Sequence, residues 1–170
     1  MNKIIDQTFK VAIYLRLSKE DDDLSCSSGA KSESNSISNQ RKLIYDFMKS
    51  HPELELYDEY KDDGKSGSNF DRAEFQRMMK DIEAGKVNCV IVKDQSRFGR
   101  DYIDVGKYKE KIFPKLGVRF ITINEGYDSL SATSSDDLAF TINSFVYDFY
   151  IRDISTKIRT NLTAKKQNGE

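Results

Sequence analysis

Residues 87–92, VNCVIV, form an unbroken apolar run rich in β-branched side chains. A strand of that composition has no face to offer water, so it belongs inside a sheet covered on both sides. Residues 11–17, VAIYLRL, and 118–123, VRFITI, also read as strands. Residues 54–60 alternate as a further strand, with Leu54, Leu56 and Tyr57 as its apolar members. Helical stretches lie between these runs. One reaches about Ser50, capped by Ser36 or Ser38, with Ile37, Leu43, Ile44 and Phe47 as its apolar face. A second spans about Arg72 to Glu83 and stops at Gly85. A third follows the short polar connection KDQSRFGRD (93–101) and ends near Phe113 and Pro114. Strands alternating with helices predict an α/β domain with a largely parallel central sheet flanked by helices.

The last segment differs. From about Ser135 to about Lys166 the pattern is helical throughout. Its first half places Leu138, Ile142, Phe145 and Phe149 on one face, while Ile151, Ile154, Ile158 and Leu162 fall on the opposite one. A helix with two apolar faces needs two neighbours. The first is read as its own domain, the second as a partner subunit or a following domain. Two shorter helices folding back on each other would also fit. The predicted organisation is an α/β domain over 1–134 and a long C-terminal helix, used for dimerisation, over 135–170.

Composition narrows the function classes. With 38% hydrophobic residues in a chain of 170, a sizeable core is available. No run of about 18 apolar residues exists to span a membrane, and MNKIIDQTFK lacks the apolar core of a secretory signal. Cys26, Cys89 and the single His51 supply neither a disulfide framework nor a zinc site. A cytoplasmic, reduced protein is the simplest reading. Net charge is −1, unevenly spread: residues 61–120 hold fourteen basic and ten acidic groups, whereas the segments before and after it are net acidic. The middle third is where an anion would be met.

Polar loops leave three strands at their carboxyl ends, where α/β sites form. After Leu17 comes Ser18, two residues past Arg16, so the two side chains leave the strand on one side. A hydroxyl beside a guanidinium suits a nucleophile facing an anionic electrophile; taken alone, the fragment reads more simply as an ordinary strand end. The second loop, DDGKSGSNFDR, holds Asp62, Asp63 and Arg72. Its GKS is not a phosphate-binding P-loop, because the glycine due five residues earlier is Glu59. The third, KDQSRFGRD, offers Arg97 and Arg100 at a strand-to-helix junction, where they can converge with a helix N-terminus on a phosphate. Either loop alone also reads as solvated charge. Together they place Arg16, Arg72, Arg97 and Arg100 at one end of one sheet around Ser18. With no histidine or cysteine at hand as base, a hydrolase triad is unsupported. A serine attacking a phosphodiester, with arginines stabilising the transition-state charge, remains.

The ordered runs YLRLS, SISNQR, DDGKSGSNFDR and KDQSRFGRD, followed by a long helix, resemble the resolvase/invertase catalytic domain of serine site-specific recombinases. The Ser-rich insertion is most similar to the large serine recombinases of transposons and integrating elements. The resemblance covers residues 10–165. It implies that Ser18 forms a 5′-phosphoserine link to double-stranded DNA and frees a 3′-hydroxyl. It implies that Arg16, Arg72, Arg97 and Arg100 surround the scissile phosphate, that Gln40 is a polar helper, and that Asp63 or Asp62 matches an aspartate of the second loop. It further implies a homodimer built on the long helix, assembly to a tetramer on DNA, and strand exchange with no metal, cofactor or ATP. Small resolvases carry an aspartate directly before the first arginine of the third motif; here that position is Ser96, with Asp94 two residues earlier. Family members continue into DNA-binding domains, so a chain ending in KKQNGE is read as a catalytic-domain fragment. Two rivals are a non-catalytic DNA-associated oligomerisation module and a metal-dependent nuclease using Asp21 to Asp23, Asp62 and Asp63.

Overall fold

The computed structural model describes residues 8–17, 35–62, 70–99 and 101–167, with side chains described as far as Tyr150 and at Asp153. Strand β1 (Phe9–Arg16) alternates strictly. Val11, Ile13 and Leu15 enter one core layer, and Ala12 and Tyr14 enter the other. The first layer is closed by helix α1 (Asn35–Lys49) through Ile37 and Ile44. The second is aromatic, and receives helix α2 (Ala73–Glu83) with Phe75, Met78, Met79 and Ile82. Strand β2 (Leu54–Asp62) flanks β1 on one side and strand β3 (Cys89–Val92) on the other. Strand β4 (Arg119–Thr122) follows β3, and a two-residue strand β5 (Tyr127–Asp128) ends the sheet. The order is β2-β1-β3-β4-β5, parallel except for the β4–β5 pair. All four residues of β3 are buried, as its composition requires.

Several sequence expectations need correction. Ser36 and Ser38 do not cap α1; both lie inside it, since its described part begins at Asn35. Leu43 is only half-buried on that helix. Leu56 and Tyr57 are exposed, because β2 is an edge strand and a register shift opposite Val11/Ala12 leaves Tyr57 without a partner in the pairing. Such a bulge, with Arg41 on Glu59 at 2.9 Å and Arg77 on Asp58 at 2.6 Å, keeps the edge from pairing with another sheet. The 93–101 connection contains a one-turn helix, α3 (Gln95–Phe98), capped by Asp94. The next helix, α4 (Tyr102–Lys107), widens into a π-helical turn over Tyr108–Ile112 and continues as α5 (Phe113–Leu116). The widening directly precedes Pro114, which has no N–H to donate and whose ring crowds a regular helix. The helix therefore ends at Gly117, where a left-handed φ of 67° favours glycine.

Helix α6 (Ser134–Gln167) is continuous for 34 residues rather than two helices folded back. Thr133 starts it reciprocally, its Oγ1 accepting from Asp136 N while Asp136 accepts from Thr133 N. The face set against the domain is not the expected one. Phe140, Ser144 and Asp148 are buried, whereas Leu138, Ile142, Phe145 and Phe149 are 52–64% exposed. Periodicity marks an apolar stripe but not which neighbour it meets, and here that stripe is left largely exposed, with Phe145 edge-on to Tyr102 at 5.6 Å. The opposite set, Ile151, Ile154, Ile158 and Leu162, lies outside the described side chains. Among the described residues no helix is long and apolar enough to cross a membrane.

Gly99 shows how tightly the third loop is set into the aromatic layer. Its φ of −159° is open to any residue, but a Cβ there would lie 2.5 Å from Phe70 Cζ and 2.8 Å from Val105 Cγ2. Gly99→Ala is expected to lower stability by about 1–3 kcal/mol through overpacking. A denaturant midpoint equal to that of the unaltered protein would show that Phe70 and Val105 yield freely.

Candidate active site

The carboxyl ends of β1, β2 and β3 lie side by side, so their loops emerge together. Of the candidate residues, Ser18, Asp63 and Arg100 lie outside the described residues, as do Asp21 to Asp23. Arg16, Gln40, Asp62, Arg72 and Arg97 are described, and the fold gathers them.

Arg16, at the end of β1, is 1% exposed. Its Nε donates to the carbonyl of Arg97 at 3.0 Å, and its Nη2 donates to the carbonyl of Ser96. Arg97 returns the contact, donating from Nη1 to the carbonyl of Arg16 at 3.3 Å. The two guanidinium groups therefore brace the end of β1 against α3. Gln40 holds the same point from α1. Its Oε1 accepts from Arg16 N at 3.4 Å and its Nε2 donates to Arg16 O at 3.2 Å. The β1–β3 pairing ends at Ile13, so this amide takes the place of a neighbouring strand for the last residue of β1.

Asp62 and Arg72 meet at a buried tyrosine. Tyr14 Oη donates to Asp62 Oδ2 at 2.8 Å and accepts from Arg72 Nη1 at 2.6 Å. Asp62 also accepts from the N–H groups of Glu74 and Phe75, satisfying the open start of α2. Arg72 Nη2 donates to the carbonyl of Phe98, which ties this network to α3. Burial raises the Tyr14 phenol well above its ordinary pKa, a rise that the Arg72 charge opposes; the hydroxyl stays protonated and can donate to Asp62. Sequence reasoning quoted Tyr14 but gave it no role. Its signal was the two-residue spacing to Arg16, which puts both on the aromatic face of β1. Tyr14→Phe keeps the ring and removes both hydrogen bonds to charged groups. It is expected to cost about 1.5–3 kcal/mol in thermal or denaturant unfolding. A cost below half a kcal/mol would mean that Arg72 and Asp62 find each other without it.

The third motif departs from expectation in one respect. Its helix N-termini do not face outward for a phosphate. Asp94 Oδ1 accepts from Arg97 N at 3.0 Å and from Ser96 Oγ at 2.6 Å. Gln95 N donates to Glu125 Oε1 at 3.2 Å, and Asp101 occupies the start of α4. Carboxylates already satisfy these amides, so side chains rather than helix dipoles must meet an anion here. Asp94 and Ser96, the pair flagged by the sequence departure, are directly hydrogen-bonded. Glu125, raised in pKa mainly by burial, was missed entirely, since nothing in its local sequence marks it.

The family model for the resolvase N-terminal domain matches residues 11–170. No curated protein matches the sequence significantly. Among solved structures, the N-terminal catalytic domain of TP901-1 integrase is 27% identical. Its TM-score is 0.62, over 84% of this chain and 97% of that one. A resolvase family site-specific recombinase from Streptococcus pneumoniae is also 27% identical. It gives a TM-score of 0.58 over 94% of this chain and 99% of that one. The C-terminal catalytic domain of an IS607-like serine recombinase, 21% identical with a TM-score of 0.54 over 95% and 99% of the chains, shares the fold.

Proposed function

The chain belongs to the resolvase N-terminal-domain family, and from that premise we propose that it is the catalytic domain of a serine site-specific recombinase whose nucleophile is Ser18. In this reading Ser18 Oγ attacks a phosphorus of double-stranded DNA. The bond to the 3′ oxygen breaks and leaves as a 3′-hydroxyl, and the 5′ phosphate stays on the serine. After strand exchange a 3′-hydroxyl attacks that phosphoserine, and Ser18 recovers its proton. Charge accumulates on the phosphoryl oxygens in the transition state, and preorganised guanidinium groups lower its energy. No ATP enters the scheme, since each step exchanges one phosphodiester bond for another of similar energy, and the charge stabilisation a metal would supply falls to the guanidinium groups.

The observation that carries the reading is the mutual bracing of Arg16 and Arg97 at the end of β1. That end lies two residues before Ser18 in the chain. Arg100, three residues after Arg97 in the chain, and Asp63, directly after Asp62, would complete the proposed site. Gln40 and Asp62 hold it, Gln40 through the backbone of Arg16 and Asp62 through Tyr14 and the start of α2. Asp62 already accepts three hydrogen bonds there, which weighs against its use as a nuclease's metal ligand. The exposed row Leu138, Ile142, Phe145 and Phe149 on α6 supports a homodimer through that helix, and pairs of dimers would form the tetramer that exchange requires.

The test is a covalent trap with the protein. The substrate is a duplex nicked near its crossover, so that the cut cannot be resealed, with a chelator present. A denaturant-resistant adduct mapped to Ser18 is expected. Binding and dimerisation with no adduct would instead favour the oligomerisation module, and cleavage lost to the chelator would favour the nuclease.

A further inference from the structure

The polar groups that join α6 to α3 take no part in the proposed chemistry, yet they are buried. Gln95, the first residue of α3, is 1% exposed, and Ser144 on α6 is 7% exposed. Gln95 Nε2 donates to the carbonyl of Phe140 at 3.3 Å, and its Oε1 accepts from Ser144 Oγ at 2.6 Å. A carbonyl can only accept, so Phe140 fixes which way the amide faces. Ser144 Oγ also lies 3.0 Å from that carbonyl, closing a three-membered cluster. The backbone N–H of Gln95 donates to Glu125 Oε1, which accepts from Tyr147 Oη of α6 at 3.4 Å. Both side-chain atoms and the main-chain donor of one residue are thus spent, directly or through Glu125, on the long helix.

The far end of α3 is the proposed site. Ser96 and Arg97 supply the carbonyls that hold Arg16, and Arg97 is two residues from Gln95. A single helical turn has little length over which to absorb a displacement. A buried hydrogen-bonded pair is no stronger a staple than apolar packing of the same shape; its distinctive property is that it accepts one geometry. We propose that Gln95 is a positioning residue: through its bonds to Ser144 and the Phe140 carbonyl it sets Arg97 and Arg16 according to where α6 is seated. The inference rests on the reading of Ser18 and Arg97 as the phosphoryl-transfer site. It makes the long helix part of the site's alignment as well as an assembly surface.

The experiment uses the full-length protein with Gln95→Leu, Ser144→Ala, their combination, and Ser144→Thr. Affinity for the nicked duplex, the rate of adduct formation and amide hydrogen exchange are measured for each. DNA affinity is expected to stay within about twofold, while adduct formation slows about 10- to 100-fold in each single variant, as misplacement of a catalytic group does. The combined variant should be no slower than the slower single one, because both remove the same link. Ser144→Thr, which keeps the hydroxyl, should restore most of the rate. Amides of residues 96–99 should exchange faster in Ser144→Ala, with those of α1 unchanged. Multiplying rate losses, or a Ser144→Ala rate within twofold of the unaltered protein, would overturn the proposal. If the unaltered protein forms no adduct, the Ser18 reading fails, and exchange alone judges the link: unchanged protection in α3 refutes it.

Discussion

Ser18→Ala is expected to abolish the denaturant-resistant DNA adduct, leaving folding and DNA affinity as they were. The covalent bond is made by one oxygen, and alanine has none to offer. Removing a nucleophile of this kind costs roughly 10⁶ in rate in a well-studied hydrolase, which puts any residual cleavage at background. Among the described residues, His51 is stacked on Phe47 at the far end of α1, Cys89 is buried in β3, and the Ser96 hydroxyl is given to Asp94. Ser18 follows β1 in the chain, and its change to alanine removes a single oxygen atom. Adduct formation by Ser18→Ala would place the bond on another residue. A fall in DNA affinity that matches the fall in adduct would recast Ser18 as a docking group.

The parts of this fold that could be read in the sequence are those where burial leaves a periodic trace. VNCVIV pointed to a fully buried strand, Gly85 to a helix end, and strands alternating with helices to a largely parallel sheet. The errors fall where the periodicity is satisfied by more than one neighbour. The row Leu138–Ile142–Phe145–Phe149 has helical spacing and was assigned to the domain. The domain instead meets Phe140, Ser144 and Asp148, a row made half of polar residues that no apolar pattern selects. Likewise Leu56 and Tyr57 carry strand character but stand on the open edge of the sheet, beside a register shift that only the pairing reveals. Of the candidate site, the gathering of Arg16, Arg72 and Arg97 was legible, because charge clustered at strand ends is conspicuous. Its supports were not. Gln95 and Glu125 are joined across 30 residues, and Gln95 reaches Ser144 across 49; such bonds leave no local signature.

Arg97→Ala is expected to slow adduct formation by roughly 10²–10³, the loss found when a group that stabilises transition-state charge is removed. The cost to the fold should be smaller. Arg97 donates to the carbonyl of Arg16 at 3.3 Å, to which Gln40 Nε2 also donates at 3.2 Å, and its Nε lies 4.0 Å from Asp94 Oδ2. That carbonyl is therefore not orphaned, and about 1–2 kcal/mol is lost. Asp94 keeps its role at the start of α3 through the backbone N–H of residue 97 and the hydroxyl of Ser96. The ratio between the two losses separates chemistry from architecture. Arg16 gives no such separation: its guanidinium holds two carbonyls of α3 and is almost wholly enclosed, so its removal would disturb the fold and the rate together. Arg97→Lys sharpens the test, since lysine keeps the charge but lacks the planar fork that grips two phosphate oxygens. An intermediate rate for lysine with the same DNA affinity places Arg97 on the transferring phosphoryl group. A loss of only a few-fold for alanine, at unchanged stability, would remove Arg97 from the transition state and leave the rate to Arg16, Arg72 and Arg100.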